Sequence, residues 1–167
     1  MKENYFDKQE TRCKLLFRAF NDQKNWFTSL SANTRGSEID FTAIDKKNRK
    51  CHCELKERKG TVQTYLDYGD VLIEVGKVFA TTRIMESGHS LNEQRLYVNF
   101  VDDGVIIFDL NQISNVKFYP NHKQRNYGKG ITENEDRIGL PMSNAIIYKK
   151  NPTTGVYDRE RFKQWEE

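Results

Sequence analysis

The chain has 167 residues, of which 31% are charged, 12% are aromatic and 27 basic against 24 acidic side chains leave a net charge of +3. With a mean hydropathy of −0.83 its surface must be densely charged, while its aromatic content and apolar strand-like runs exclude a disordered chain. The balance is mildly basic, which permits nucleic-acid binding through a local patch without requiring it.

The length suits a single domain over 1–167. No apolar run approaches the roughly 20 residues of a spanning helix, and MKENYFDKQE lacks the apolar stretch of a secretory signal. The expectation is a soluble, cytoplasmic protein, in keeping with an odd count of three cysteines.

Residues 4–21 (NYFDKQETRCKLLFRAFN) predict an amphipathic helix, with Phe6, Cys13, Leu16, Phe17 and Phe20 at helical spacing and Asn21, Asp22 or Asn25 as its stop. Residues 25–31 (NWFTSLS) read as a short strand, and ANTRGS after it as a turn. Arg35 and Ser37 in that turn stand where a phosphate could be touched, although loop residues there are more often bystanders.

Two strands joined by a basic turn follow. In 38–45, Glu38, Asp40 and Thr42 alternate with Ile39, Phe41 and Ala43. In the turn Asp45-Lys46-Lys47-Asn48-Arg49-Lys50 five of six residues are charged, which suits a bend and not a core. In 51–58, His52, Glu54, Lys56 and Arg58 share one face and Cys51, Cys53, Leu55 and Glu57 the other. Pairing these strands brings Asp40, Glu54 and Lys56 together. Two carboxylates and an ammonium on a sheet are costly unless used, and a hard divalent cation such as Mg or Mn is their natural partner. The lysine can then orient a water or stabilise charge on a phosphate. The bland alternative is a solvated hairpin in which Glu54 and Lys56 merely pair. Cys51-His52-Cys53 does not read as a zinc site, because the alternation puts His52 opposite both thiols; buried, inert cysteines are expected.

Asp40, thirteen intervening residues, then Glu54-Leu55-Lys56 resembles the signature of the PD-(D/E)XK nuclease superfamily, with Ile39 in place of the proline before the first acid. The resemblance covers roughly residues 1–110. It implies an α/β restriction-endonuclease-like fold, a central mixed four- to five-stranded sheet flanked by helices, and a metal-dependent nuclease acting on DNA. It further implies that Asp40 and Glu54 bind Mg or Mn, with the Leu55 carbonyl as an extra ligand, that Lys56 positions the attacking water, and that Glu10 on the first helix is a candidate for the metal site. A solvated Glu10 near Arg12 and Lys14 is the plainer account.

Beyond Lys59 the chain loosens through TVQTYLDYG, where Gln63 and Tyr65 are candidates for substrate contact. Residues 70–86 predict the strongest helix, with Asp70 as N-cap and Val71, Leu72, Val75, Val78, Phe79 and Thr82 on one face. Glu74 and Lys77 form an intrahelical pair on this reading, or one of them faces the hairpin. Residues 95–101 and 105–109, joined at Asp102-Asp103-Gly104, predict a hairpin, and 116–119 a short extended piece.

The segment 120–139 shows no period and reads as a basic, glycine-containing loop. Lys123, Arg125 and Lys129 there, with Arg35, Arg58 and Lys59, are the candidates for nucleic-acid contact; ENED beyond them would repel a phosphate backbone. Residues 143–149 predict a last strand, and Phe162 and Trp165 a short terminal helix. The expected layout is a core over about 1–118 and a variable C-terminal extension over 119–167. A sequence-specific enzyme of this length would need to act as a homodimer to cut both strands. The alternative function is a catalytically inactive nucleic-acid- or protein-binding module on the same fold.

Overall fold

Helix α1 (Tyr5–Lys24) buries the stripe that its 3.6-residue period marks out: Cys13, Phe17 and Phe20 are 5%, 1% and 0% exposed. Asn25 ends it with a positive φ of 50°, and the Asn21 side chain both accepts from Phe27 N–H at 2.8 Å and donates to Phe27 C=O at 3.2 Å. That clamp turns the chain into strand β1 (Phe27–Ala32), which pairs antiparallel with β2 (Phe41–Asp45), and β2 pairs antiparallel with β3 (Lys50–Glu57). The basic turn closes on Asp45, whose carboxylate accepts from Lys47 N–H, Arg49 N–H and Arg49 Nε at 2.9, 2.8 and 2.7 Å. The computed structural model describes residues 5–34, 37, 39–78, 93–126 and 131–160.

From β3 the chain crosses over through α2 (Val62–Tyr68) and β4 (Asp70–Glu74) before returning as β5 (Gln94–Val101), parallel to β3. A parallel pair requires such a crossover. Strand β6 (Gly104–Asp109) follows β5 through the predicted tight turn, and β9 (Ile146–Lys150) and β10 (Tyr157–Glu160) extend the sheet on its far side. The result is a seven-stranded sheet in the order β1-β2-β3-β5-β6-β9-β10. The expected mixed α/β architecture with a central sheet flanked by helices is met, but the sheet is larger than four or five strands, and strands from residues 146–160 complete it.

The two faces of this sheet carry separate cores. On one, α1 packs its aromatic stripe over Phe41, Cys53, Leu55, Leu96 and Val98; Phe17 meets Phe27 and Phe41 with ring centroids at 5.7 and 5.3 Å. On the other, α2 and a second, three-stranded sheet of β4, β8 (Ile131–Pro141) and β7 (Lys117–Asn126) cover Tyr97, Ile106, Phe108 and Ile147. No helix among the described residues is long and apolar enough to cross a membrane.

Three sequence expectations fail for identifiable reasons. Residues 70–74 are a strand and not the start of a helix: Val71 and Ile73 are buried while Asp70, Leu72 and Glu74 are half-buried, a period of two that the longer helical pattern masks. Helix begins only at 75, and residues 79–92 lie outside the described residues. The stretch TVQTYLDYG holds α2, capped by reciprocal bonds between Thr61 and Thr64 and ended by Gly69 at φ 81°. Residues 120–139 include the facing ends of the β7–β8 hairpin rather than a loop. Its register shifts between Tyr119 and His122, at Pro120 and the positive-φ Asn121, which erases any alternation in the sequence. The expected terminal helix around Phe162 and Trp165 lies outside the described residues.

Replacing Phe17 by Ala should lower unfolding stability by about 3–5 kcal/mol in urea titrations, as for other buried phenylalanines. Replacing Leu15, 60% exposed on the same helix, should change it by less than about 0.5 kcal/mol.

Candidate active site

Strand β2 stops pairing with β3 at Phe41, opposite Cys53. Asp40 still donates its N–H to the Cys53 carbonyl at 3.2 Å, and its carboxylate then takes the next rung of the ladder, with Oδ2 accepting from Leu55 N–H at 2.7 Å. A side chain thus replaces a strand, and β3 is left with an open edge over its last residues. The Leu55 carbonyl points to the same edge as its N–H, as in any extended strand. Helix α1 runs beside this edge, and the cleft between them, about 250 Å³, is lined by Glu10, Cys13, Asp40, Glu54, Leu55, Lys56, Glu57 and Lys77 among others.

Glu54 stands on the face opposite α1, in register with Tyr97 of β5, and is 7% exposed. Its Oε1 lies 2.8 Å from Lys77 Nζ, whereas its Oε2 is buried and has no hydrogen-bond partner among the described residues. Burial pushes the Glu54 pKa up, the Asp40 charge adds to this and Lys77 pulls back, leaving it at about 7. Asp40 is also raised, by burial first, with Leu55 N–H opposing. For Lys77 burial works against the ammonium, but Glu54, Asp40 and Glu74 outweigh it and raise its pKa. Burial thus outweighs the ammonium already on Glu54 Oε1, and the orphaned Oε2 is the atom that further cationic charge would satisfy.

The sequence candidates divide cleanly. Asp40, Glu54, Leu55, Lys56, Glu10 and Lys77 line one cleft. Glu10 is held there by Lys14 at 2.5 Å. Glu74 turns away to Arg137 at 3.1 Å, so the intrahelical pair with Lys77 does not form; residue 74 belongs to a strand. Gln63 donates to Asp67 at 2.8 Å on α2, outside the cleft. Arg58 ties three strands together, bonding Asn99 at 2.7 Å, the Tyr97 hydroxyl at 2.6 Å and the Leu72 carbonyl. Lys59 and Lys123 are exposed, Arg125 lies near the end of β7, and Arg35 and Lys129 lie outside the described residues.

Cys51 and Cys53 sit in the core under α1 while His52, on the other face, is 2.7 Å from Glu93. The three thiols are free, and burial pushes those of Cys13 and Cys51 up to about 12. Sequence reasoning did not find Cys13, Glu57 or Tyr97 near the site. Tyr97 had one usable signal, its place in an apolar strand, while the parallel pairing of that strand with β3 had none.

Among the described residues no three His, Cys, Asp or Glu side chains gather as a metal cage. Two carboxylates are nevertheless the usual protein share for Mg, whose remaining positions go to water and phosphate. The donors here are hard oxygens suited to Mg or Mn, and the unpartnered Glu54 Oε2 is the atom a cation would satisfy. The residues fit the group.

No family model matches the chain, and no curated protein matches it in sequence. Among solved structures it is similar to the Holliday junction resolvase Hjc of Archaeoglobus fulgidus, an archaeal hyperthermophile. The TM-score is 0.48 at 8% identity, covering 80% of this chain and 92% of that one.

The Glu54 shift has a sign that can be measured. Its folded pKa of about 7 exceeds the ordinary 4.5, so the folded state holds the proton more tightly. The stability this brings is complete below about pH 4.5 and is lost as pH rises to about 7. Between pH 5 and 8 wild type should therefore lose on the order of 1–3 kcal/mol relative to Glu54→Gln, as read by denaturant titrations at both pH values.

Proposed function

We propose that the chain is a metal-dependent nuclease that hydrolyses phosphodiester bonds in DNA. The observation that carries this reading is the cleft in which Asp40, Glu54 and Lys56 meet at the open edge of β3. Asp40 and Glu54 would hold Mg or Mn, with the Leu55 carbonyl as a further oxygen donor. When bound, the cation would supply Lewis-acid stabilisation of charge on the phosphate. Lys56 positions the attacking water and offers its ammonium to the negative charge that builds on the phosphate. The bond from Leu55 N–H fixes the plane of the Asp40 carboxylate, so this group is preorganised before substrate arrives. Glu10 lies near enough to be a further acid at the same site. The resemblance to the PD-(D/E)XK superfamily rests on the same three residues, and the protein acts on its DNA alone or as a homodimer.

One observation favours a second reading. Lys77 already neutralises Glu54 at 2.8 Å, as a resident ammonium would in an inactive module that binds nucleic acid or protein without cutting. Cleavage separates the two readings. With Mg or Mn, wild type should nick plasmid and branched DNA, and Asp40→Ala or Lys56→Met should each lower the rate by at least about 100-fold. A wild type that cuts neither substrate with either metal is the result that hands the site to the second reading.

A further inference from the structure

Strand β3 places Glu54 and Lys56 in the candidate active cleft, and the next residue on that face, Arg58, enters a second cleft. The two positions 56 and 58 are only about 7 Å apart along the strand. The second cleft, about 410 Å³, lies between α2 and the three-stranded sheet and is lined by Arg58, Tyr65, Tyr68, Tyr119, His122 and Arg137 among others. Its walls are built rather than incidental. The Tyr119 hydroxyl donates to Asp70 Oδ2 at 2.7 Å, and both groups sit over Gly139, where a Cβ would come within 2.5 Å of that oxygen and 2.8 Å of the tyrosine ring. Tyr65 is fixed by its hydroxyl, which donates to the Lys59 carbonyl at 2.8 Å, and its ring meets Tyr68 edge-on at 6.0 Å. His122 meets Tyr119 in the same manner at 6.3 Å.

Tyr68 is 70% exposed, an aromatic face left in water at the mouth of an aromatic cleft. The guanidinium groups of Arg58 and Arg137 are spent within the fold, but flat rings with polar edges, with exposed Lys59 and Lys123 next in sequence to the lining residues Arg58 and His122, suit one chemistry well: a nucleobase held by stacking that any base can satisfy. A cleft of this volume takes one such group, not a protein element. We propose that it binds an unpaired nucleobase of the substrate strand, directing the candidate nuclease to DNA with unpaired bases beside the cut. The identity of the strand rests on the nuclease reading; the base-binding site itself does not.

The test is fluorescence anisotropy in EDTA, with a labelled oligothymidine and an oligonucleotide of the same length made of abasic sites. Wild type should prefer the oligothymidine. Tyr68→Ala should weaken that binding about tenfold or more, leave abasic binding unchanged and melt like wild type, while Tyr68→Trp should retain the preference. Equal binding of the two probes, or oligothymidine binding that Tyr68→Ala does not alter, would overturn the proposal. Failure to bind either probe would overturn it too and leave the aromatic mouth to a protein partner. Since no metal or cleavage enters the assay, an inactive wild type counts against the nuclease reading without bearing on the base preference.

Discussion

The hydrogen bond from Leu55 N–H to the Asp40 carboxylate is the constraint on which the candidate site depends. Where β2 leaves β3, a buried backbone donor would otherwise lose its partner at a cost of about 1–3 kcal/mol. Asp40 supplies one, and a charged acceptor makes a stronger bond than the carbonyl it replaces. The same bond holds a carboxylate at the rim of the core beside Glu54, so the step that ends the strand pairing also creates a pair of acids. Both are raised by burial, and neither would be favoured there in a sheet selected for stability alone.

The two faces of the seven-stranded sheet divide the work. Under α1 the core is aromatic and closed, with Phe20 packed against Trp26, Tyr148 and Tyr157. The opposite face carries polar groups into the interior: Glu54 with Lys77, His52 with Glu93, and Arg58 bridging Asn99, Tyr97 and Leu72. Burying such groups is affordable when each is paired, and Glu54 Oε2 is where the pairing is incomplete. A rigid aromatic side thus supports a polar side whose charges are available for chemistry. Lys77 lies on the crossover between the parallel strands β3 and β5, in the helical residues 75–78 that follow β4, and from there it reaches Glu54 at 2.8 Å.

Much of this was legible in the sequence because the hairpin is a local structure. Alternation alone places Asp40, Glu54 and Lys56 on one face, and the 3.6-residue spacing of Cys13, Phe17 and Phe20 gives α1. The crossover was not legible. Asp70–Glu74 is five residues long, and its alternation is overprinted by a helical pattern that resumes at 75. Its pairing with β8 is set by residues about 65 positions away, as are the partners of Glu74 and Arg137. The bulge at Pro120 and Asn121 hid β7, because one extra residue reverses the inside-outside order that a strand reading needs. Arg58 read as a candidate nucleic-acid contact, since nothing local reveals that groups from β4 and β5 converge on its guanidinium.

The central claim is that Asp40 and Glu54 form a divalent-cation site, and isothermal titration of Mg and Mn into wild type and Asp40→Ala tests it most directly. The account predicts saturable binding to wild type that disappears in Asp40→Ala while the variant remains folded. An absence of binding to wild type, or identical isotherms for the two proteins, would contradict it and leave Lys77 as the cation that answers Glu54.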